Sequence, residues 1–189
     1  MKMQRYFDKV GIVRDERIVS DALLPVSEAK GRIKRFFEDN VEEKLFVLYY
    51  TGHGERRKGA WCFQNGYLEA REILPLFFTA RGARNDTESK LLLITDSCHS
   101  GHWVAAVQTC LDREQRQRVA VQASCRDSEI SYDTDLGGKF SMAFMEQSSD
   151  SIRQLPSDQN PTAFVGWKGN QSQAKIDLFN GGSISFFQK

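Results

Sequence analysis

The sequence predicts an α/β protein built on a mostly parallel sheet. Three observations predict it. Two short apolar runs, Leu45-Phe46-Val47-Leu48-Tyr49-Tyr50 and Leu91-Leu92-Leu93-Ile94, have the length and continuity of strands buried on both faces. An amphipathic helical pattern precedes the first run and another lies between the two, which is the order of βαβ units. Each run then passes directly into small and polar residues, Thr51-Gly52-His53-Gly54 in one case and Thr95-Asp96-Ser97-Cys98-His99-Ser100-Gly101 in the other. In open α/β sheets, ligands bind just outside the carboxyl ends of the strands, so both clusters stand where a site belongs.

The elements follow in chain order. Residues 1–15 are amphipathic and define no element. Arg17 to Leu24 reads as a short strand closed by Pro25. Ser27 is placed as a helix N-cap, with Glu28 in the first turn. Ala29, Ile33, Phe36 and Phe37 recur at helical spacing and carry that helix to about Asn40. Glu42 and Glu43 mark the turn into the first apolar run. The charged segment Glu55 to Gly59 is a solvated loop. Trp61-Cys62-Phe63 begins a hairpin whose turn signal is Asn65-Gly66. Glu69 to Ala80 reads as a helix with Ile73, Leu76 and Phe77 inward, Pro75 as a kink or break, and Gly82 as its stop. After the Leu91 strand, Trp103 to Val107 starts a helix. Asp112 to Arg118 is a charged, exposed helical turn or connector, and Val119 to Ser124 the next strand. Ser131-Tyr132-Asp133 and Gly137-Gly138 fall in a loop, Phe140 to Met145 in a helix, and residues 147–160 in a polar loop with helical pieces. Ala163-Phe164-Val165 and Ile184-Ser185-Phe186-Phe187 are late strands.

Composition narrows the function classes. A chain of 189 residues, 40% hydrophobic and 27% charged, suits one soluble domain over residues 1–189 with a substantial core. Twenty-six basic against 25 acidic side chains leave a net charge of +1, which gives no electrostatic case for nucleic acid or an anionic membrane. The N-terminal MKMQRYFDKVG has no apolar core of a secretory signal, and no run approaches a membrane span. Cys62, Cys98, Cys110 and Cys125 form no CxxC pair, so reduced thiols in a cytoplasmic protein are expected, with Cys62, Cys110 and Cys125 packing inertly.

The chemistry concentrates on Cys98 and His53. If the two strands lie side by side in parallel, thiol and imidazole meet at one sheet edge as an activated nucleophile and its acid/base partner. Competing chemistries lack parts. Zinc would recruit His99 and His102 beside Cys98, but no further ligand cluster is evident, so no metal is expected. A phosphatase loop would want an arginine where Val104 stands, and a thioredoxin-like site would want CxxC.

Tyr50-Thr51-Gly52-His53-Gly54 and Asp96-Ser97-Cys98-His99-Ser100-Gly101 together resemble the two catalytic blocks of caspase-like cysteine peptidases. The second block is closer to metacaspases and paracaspases than to true caspases, whose nucleophile motif is Q-A-C-[RQG]-G. The 45 residues from His53 to Cys98 are close to the family spacing of about 50. Ser124 and Ser131-Tyr132-Asp133, then Gly138 and Phe140, are similar to the later block lining the substrate pocket, so the resemblance runs from Leu45 to Phe144.

The resemblance implies a three-layer α/β/α caspase-like fold with a mostly parallel central sheet, here lacking the family's first strand because the chain starts after it. It implies a cysteine endopeptidase with Cys98 as nucleophile, His53 as general acid/base and the N–H groups of Gly54 and Cys98 as oxyanion donors. Thr51, Asp96, Ser124 and Asp133 would line S1, and an acidic pair there selects Arg or Lys, Arg best through a forked contact. Substrates are then proteins or peptides, without a cofactor. A homodimer or a regulatory protein partner fits a sheet completed by another chain. Calcium-dependent metacaspases place acidic residues where this chain has Arg56, Arg57, Lys58 and Ala105, so no calcium site is expected. The second hypothesis is an inactive caspase-like scaffold that binds partners.

Overall fold

A computed structural model describes residues 5–7, 24–134, 137–146 and 175–178. Its central sheet has, in spatial order, the strands β1 (Leu45–Gly52), β4 (Lys90–Ser97), β5 (Val119–Ala123) and β8 (Lys175–Leu178). β1 pairs in parallel with β4, from Leu45 opposite Lys90 to Gly52 opposite Ser97. β5 joins the far side of β4 in parallel, and β8 closes the described sheet antiparallel to β5. The strands outrun the apolar runs that predict them: pairing continues through Thr51 and Gly52 and through Thr95, Asp96 and Ser97.

Helix α1 (Val26–Asp39) buries Ala29, Ile33 and Phe37. It starts two residues earlier than an N-cap at Ser27 predicts. Extended Pro25 occupies the cap position, and the Val26 N–H donates to Asn65 Oδ1 at 3.0 Å. The cap therefore comes from the distant hairpin β2 (Trp61–Phe63) and β3 (Gly66–Leu68), where Phe63 pairs with Gly66 across Gln64 and Asn65. That places the turn one residue before the Asn65-Gly66 signal.

Helix α2 (Ala70–Gly82) opens on a reciprocal capping box between Glu69 and Glu72. It runs through Pro75 without the break that residue predicts. A proline there costs about 3 kcal/mol. Burial of Ile73, Leu74 and Phe77 contributes about 1.5–3 kcal/mol apiece and outweighs it. α3 (Gly101–Cys110) follows β4, and α4 (Arg113–Arg116) is a single turn capped by Asp112 and Gln115. The predicted loop at Asp133 holds a small antiparallel ribbon, β6 (Asp133–Thr134) with β7 (Gly137–Gly138), which leads into α5 (Lys139–Glu146).

Both sheet faces are covered. On one, Phe46, Leu48, Leu91, Leu93, Val119 and Val121 pack with Ile33, Phe37, Phe77 and Trp103. The rings of Phe37, Phe46 and Phe77 meet edge to face at 5.4–5.8 Å. Arg81 lies fully buried beside them. Its guanidinium donates to the Phe37 and Asn40 carbonyls, pairs with Asp86 at 3.7 Å and sits 4.7 Å above the Phe46 ring. On the other face, Tyr49 hydrogen-bonds Ser141 of α5 at 2.7 Å and packs against Phe7. The result is a three-layer α/β/α fold with a mostly parallel sheet. The expected strand from Arg17 to Leu24 lies outside the described residues except for Leu24, which is in no strand; the segment 147–160 and the strands at 163–165 and 184–187 lie outside them entirely.

Candidate active site

The sheet register decides where the two predicted catalytic residues go. Thr51 pairs with Asp96 and Gly52 with Ser97; His53 and Cys98 are the next residue on each chain. Neighbouring strands lie about 4.8 Å apart, so both emerge side by side at the carboxyl edge. The following residues hold that adjacency. Gly54 packs so closely on the Cys98 backbone that a Cβ built there would lie 1.8 Å from the Cys98 carbonyl oxygen and 3.2 Å from its nitrogen. Any side chain at 54 would drive the two loops apart. His53 is exposed and Cys98 half-buried.

An aromatic stack supports the His53 loop from below. The Tyr50 ring stacks on Trp61 at 4.7 Å, and Trp61 on Trp103 at 4.2 Å. Trp61 Nε1 donates to Thr95 Oγ1 at 2.9 Å and Trp103 Nε1 to the Gly59 carbonyl at 2.6 Å. β1, β4, the hairpin and α3 are thereby joined directly under the site. The loop itself closes through Glu55 N–H to the Ala60 carbonyl at 2.9 Å. The Glu55 carboxylate accepts from the Arg57 and Lys58 amides, both at 2.9 Å, and these bonds hold its pKa below the usual range.

The Cys98 loop is held by backbone and hydroxyls. The Cys98 thiol donates to the Ser131 carbonyl at 3.7 Å. His99 takes a left-handed φ of 57°; its N–H donates to the Glu129 carbonyl and its Nδ1 lies 2.8 Å from the Asp127 carbonyl. Ser124, nearly buried, donates to the Ser97 carbonyl at 3.0 Å and lies 3.2 Å from the Ser100 hydroxyl. Among the described residues, no three His, Cys, Asp or Glu side chains converge as a metal site. No helix of the described residues is long and apolar enough to cross a membrane.

Asp96 and Thr51 leave the same face of the sheet as paired neighbours. Thr51 is exposed, whereas Asp96 is only 2% exposed. One Asp96 oxygen accepts from Ser131 Oγ at 3.0 Å; the other accepts from the Ser141 amide at 3.1 Å and its hydroxyl at 2.6 Å. Ser141 is the third residue of α5, so its amide is one that the helix cannot satisfy itself. Asp96 is therefore a helix cap supplied from a strand. Asp133 enters the ribbon as the partner of Gly138. Sequence reasoning missed Ser131 and Ser141 as partners of Asp96; the available signal was a serine near a helix start with no acidic cap beside it.

The remaining thiols differ from one another. Cys125 is buried, and burial pushes its thiol up. Cys62 is half-buried beside the site; burial raises it, and the charges of Glu55 and Cys98 add to that. Cys110, expected to pack inertly, is exposed at the end of α3.

A thiol and an imidazole thus follow paired residues on adjacent parallel strands of a three-layer α/β fold, and these are the two groups a cysteine hydrolase needs. The family model for the caspase domain matches residues 1–160, and the chain belongs to that family of cysteine peptidases, which act on protein substrates. Comparison with curated proteins gave no match.

Proposed function

We propose that the chain is a cysteine endopeptidase that cleaves after Arg or Lys, nearer to metacaspases and paracaspases than to true caspases. The observation carrying the reading is the shared strand edge of His53 and Cys98, locked by the contact of Gly54 with the Cys98 backbone. The Cys98 thiolate attacks the scissile carbonyl while the Gly54 and Cys98 amides stabilise the oxyanion, at about 2.7–4 kcal/mol each. His53 protonates the departing amine. It then takes a proton from the water that hydrolyses the thioester.

The Asp96 carboxylate, with Thr51 beside it, supports a cationic P1 residue. Ser124 and Asp133 complete S1 in this reading. A substrate arginine reaches Asp96 by displacing the Ser131 hydroxyl, whose segment runs over both Asp96 and Cys98. The second reading, a scaffold that binds partners without catalysis, is favoured by the burial of Asp96 and by its bonds to Ser131 and Ser141. A panel of fluorogenic peptides differing only at P1 separates the two. Arg turned over in preference to Asp, and abolished in Cys98→Ala, is the expected result. Folded wild type that cleaves none of the panel supports the scaffold.

A further inference from the structure

We infer that Tyr50 is a positioning residue for His53: its hydroxyl fixes the backbone from which the imidazole is presented. The inference rests on the dyad reading above. Among the described residues, the His53 ring makes no side-chain hydrogen bond, so its aim is set by its main chain. Two bonds hold that main chain, both to the His53 carbonyl. The Tyr50 hydroxyl lies 2.9 Å from it, with the Cys62 carbonyl as a second acceptor at 3.1 Å, and the Cys62 N–H donates to it at 3.2 Å. The Cys62 N–H also reaches the Tyr50 oxygen at 3.1 Å, so one phenol ties the His53 turn to β2.

The arrangement is built tightly. The Tyr50 ring cannot swing away, because it lies flat on Trp61 with an interplanar angle of 11° and Trp61 is backed by Trp103. The hydroxyl reaches under the turn only because residue 52 is glycine: a Cβ there would lie 2.7 Å from it. Burial pushes the phenol up, so it keeps its proton throughout the range in which a thiol and an imidazole exchange theirs. A misplacement of about 1 Å in a reacting group can cost about 100-fold in rate, which gives this one bond leverage over catalysis.

Tyr50→Phe keeps the ring stack and removes only the hydroxyl. The expected result is a kcat for the Arg-P1 peptide lower by about tenfold or more, with KM within about twofold and the near-UV circular dichroism of the tryptophans unchanged. The rate of Cys98 alkylation by iodoacetamide at neutral pH, which needs no peptidase activity, is expected to fall in the same variant. Gly52→Ala crowds the hydroxyl from the other side and is expected to reproduce both changes, which covers the case of Tyr50→Phe failing to fold. Folded variants with wild-type kcat and an unchanged alkylation rate, whatever their melting temperature, overturn the assignment. Wild type that cleaves no peptide but whose alkylation still slows in Tyr50→Phe sinks the peptidase reading and supports the role of Tyr50.

Discussion

Gly54 and Cys98 meet backbone to backbone, with no room for a single methyl between them: a Cβ on Gly54 would stand 1.8 Å from the Cys98 carbonyl oxygen. The contact joins the loop after β1 to the loop after β4 and sets the two proposed oxyanion donors beside each other. Gly54→Ala must open it. The expected outcome is a kcat/KM lower by about 100-fold or more, with a stability loss of about 1–3 kcal/mol from overpacking. Urea unfolding and the fluorogenic assay measure the two effects separately. Activity within twofold of wild type would contradict the role given to this contact.

Asp96 has two jobs in this account, capping α5 and receiving a cationic P1 side chain. Asp96→Asn preserves shape and removes the charge, and its amide nitrogen cannot accept from Ser141. Arg-P1 kcat/KM is expected to fall by about 100-fold or more, and stability by about 1–3 kcal/mol. Ser141→Ala, which strips a donor from Asp96 without touching its charge, is expected to lose stability and keep the P1 preference. Equal loss of preference in both variants would show that the cap alone governs the pocket.

Asp86 makes acid sensitivity a second, independent check on the fold. Burial alone would raise its pKa. The Ser89 hydroxyl and amide, the Glu88 amide and Lys44 overcome that and hold it at about 2, below the ordinary 3.8. A depressed carboxylate stabilises the folded state above the unfolded pKa and stops doing so as pH falls through the folded one. The window therefore runs from about pH 4 down to about 2, and the contribution at neutral pH is about 2 kcal/mol. Asp86→Asn is expected to unfold more easily by about that amount at pH 7 and to match wild type near pH 2. A stability difference that does not shrink across that window would contradict the assignment.

What the sequence made legible was the pattern carried by consecutive residues. Apolar runs of strand length with a helix between them marked the two strands, and the meeting of His53 with Cys98 hung on the condition that those strands pair in parallel, which the register of β1 with β4 meets. What it hid was partnership across the chain. Nothing local says that Asn65 caps α1, that Asp96 caps α5, or that the Tyr50 hydroxyl holds His53. Local rules also failed where packing outweighed them, as when α2 continued through Pro75, and where a non-glycine residue took a left-handed turn, as His99 did.

The most direct measurement is the rate and position of labelling by a peptidyl-arginine chloromethyl ketone, read by intact-mass and peptide mass spectrometry. It requires the nucleophile, the acid/base group and the P1 pocket to act together, and the half-buried Cys62 and exposed Cys110 serve as internal controls. One adduct per chain is expected, on Cys98, with labelling slowed by about 100-fold or more in His53→Gln. Labelling spread over Cys62 and Cys110, or labelling of Cys98 that is indifferent to His53, would contradict it.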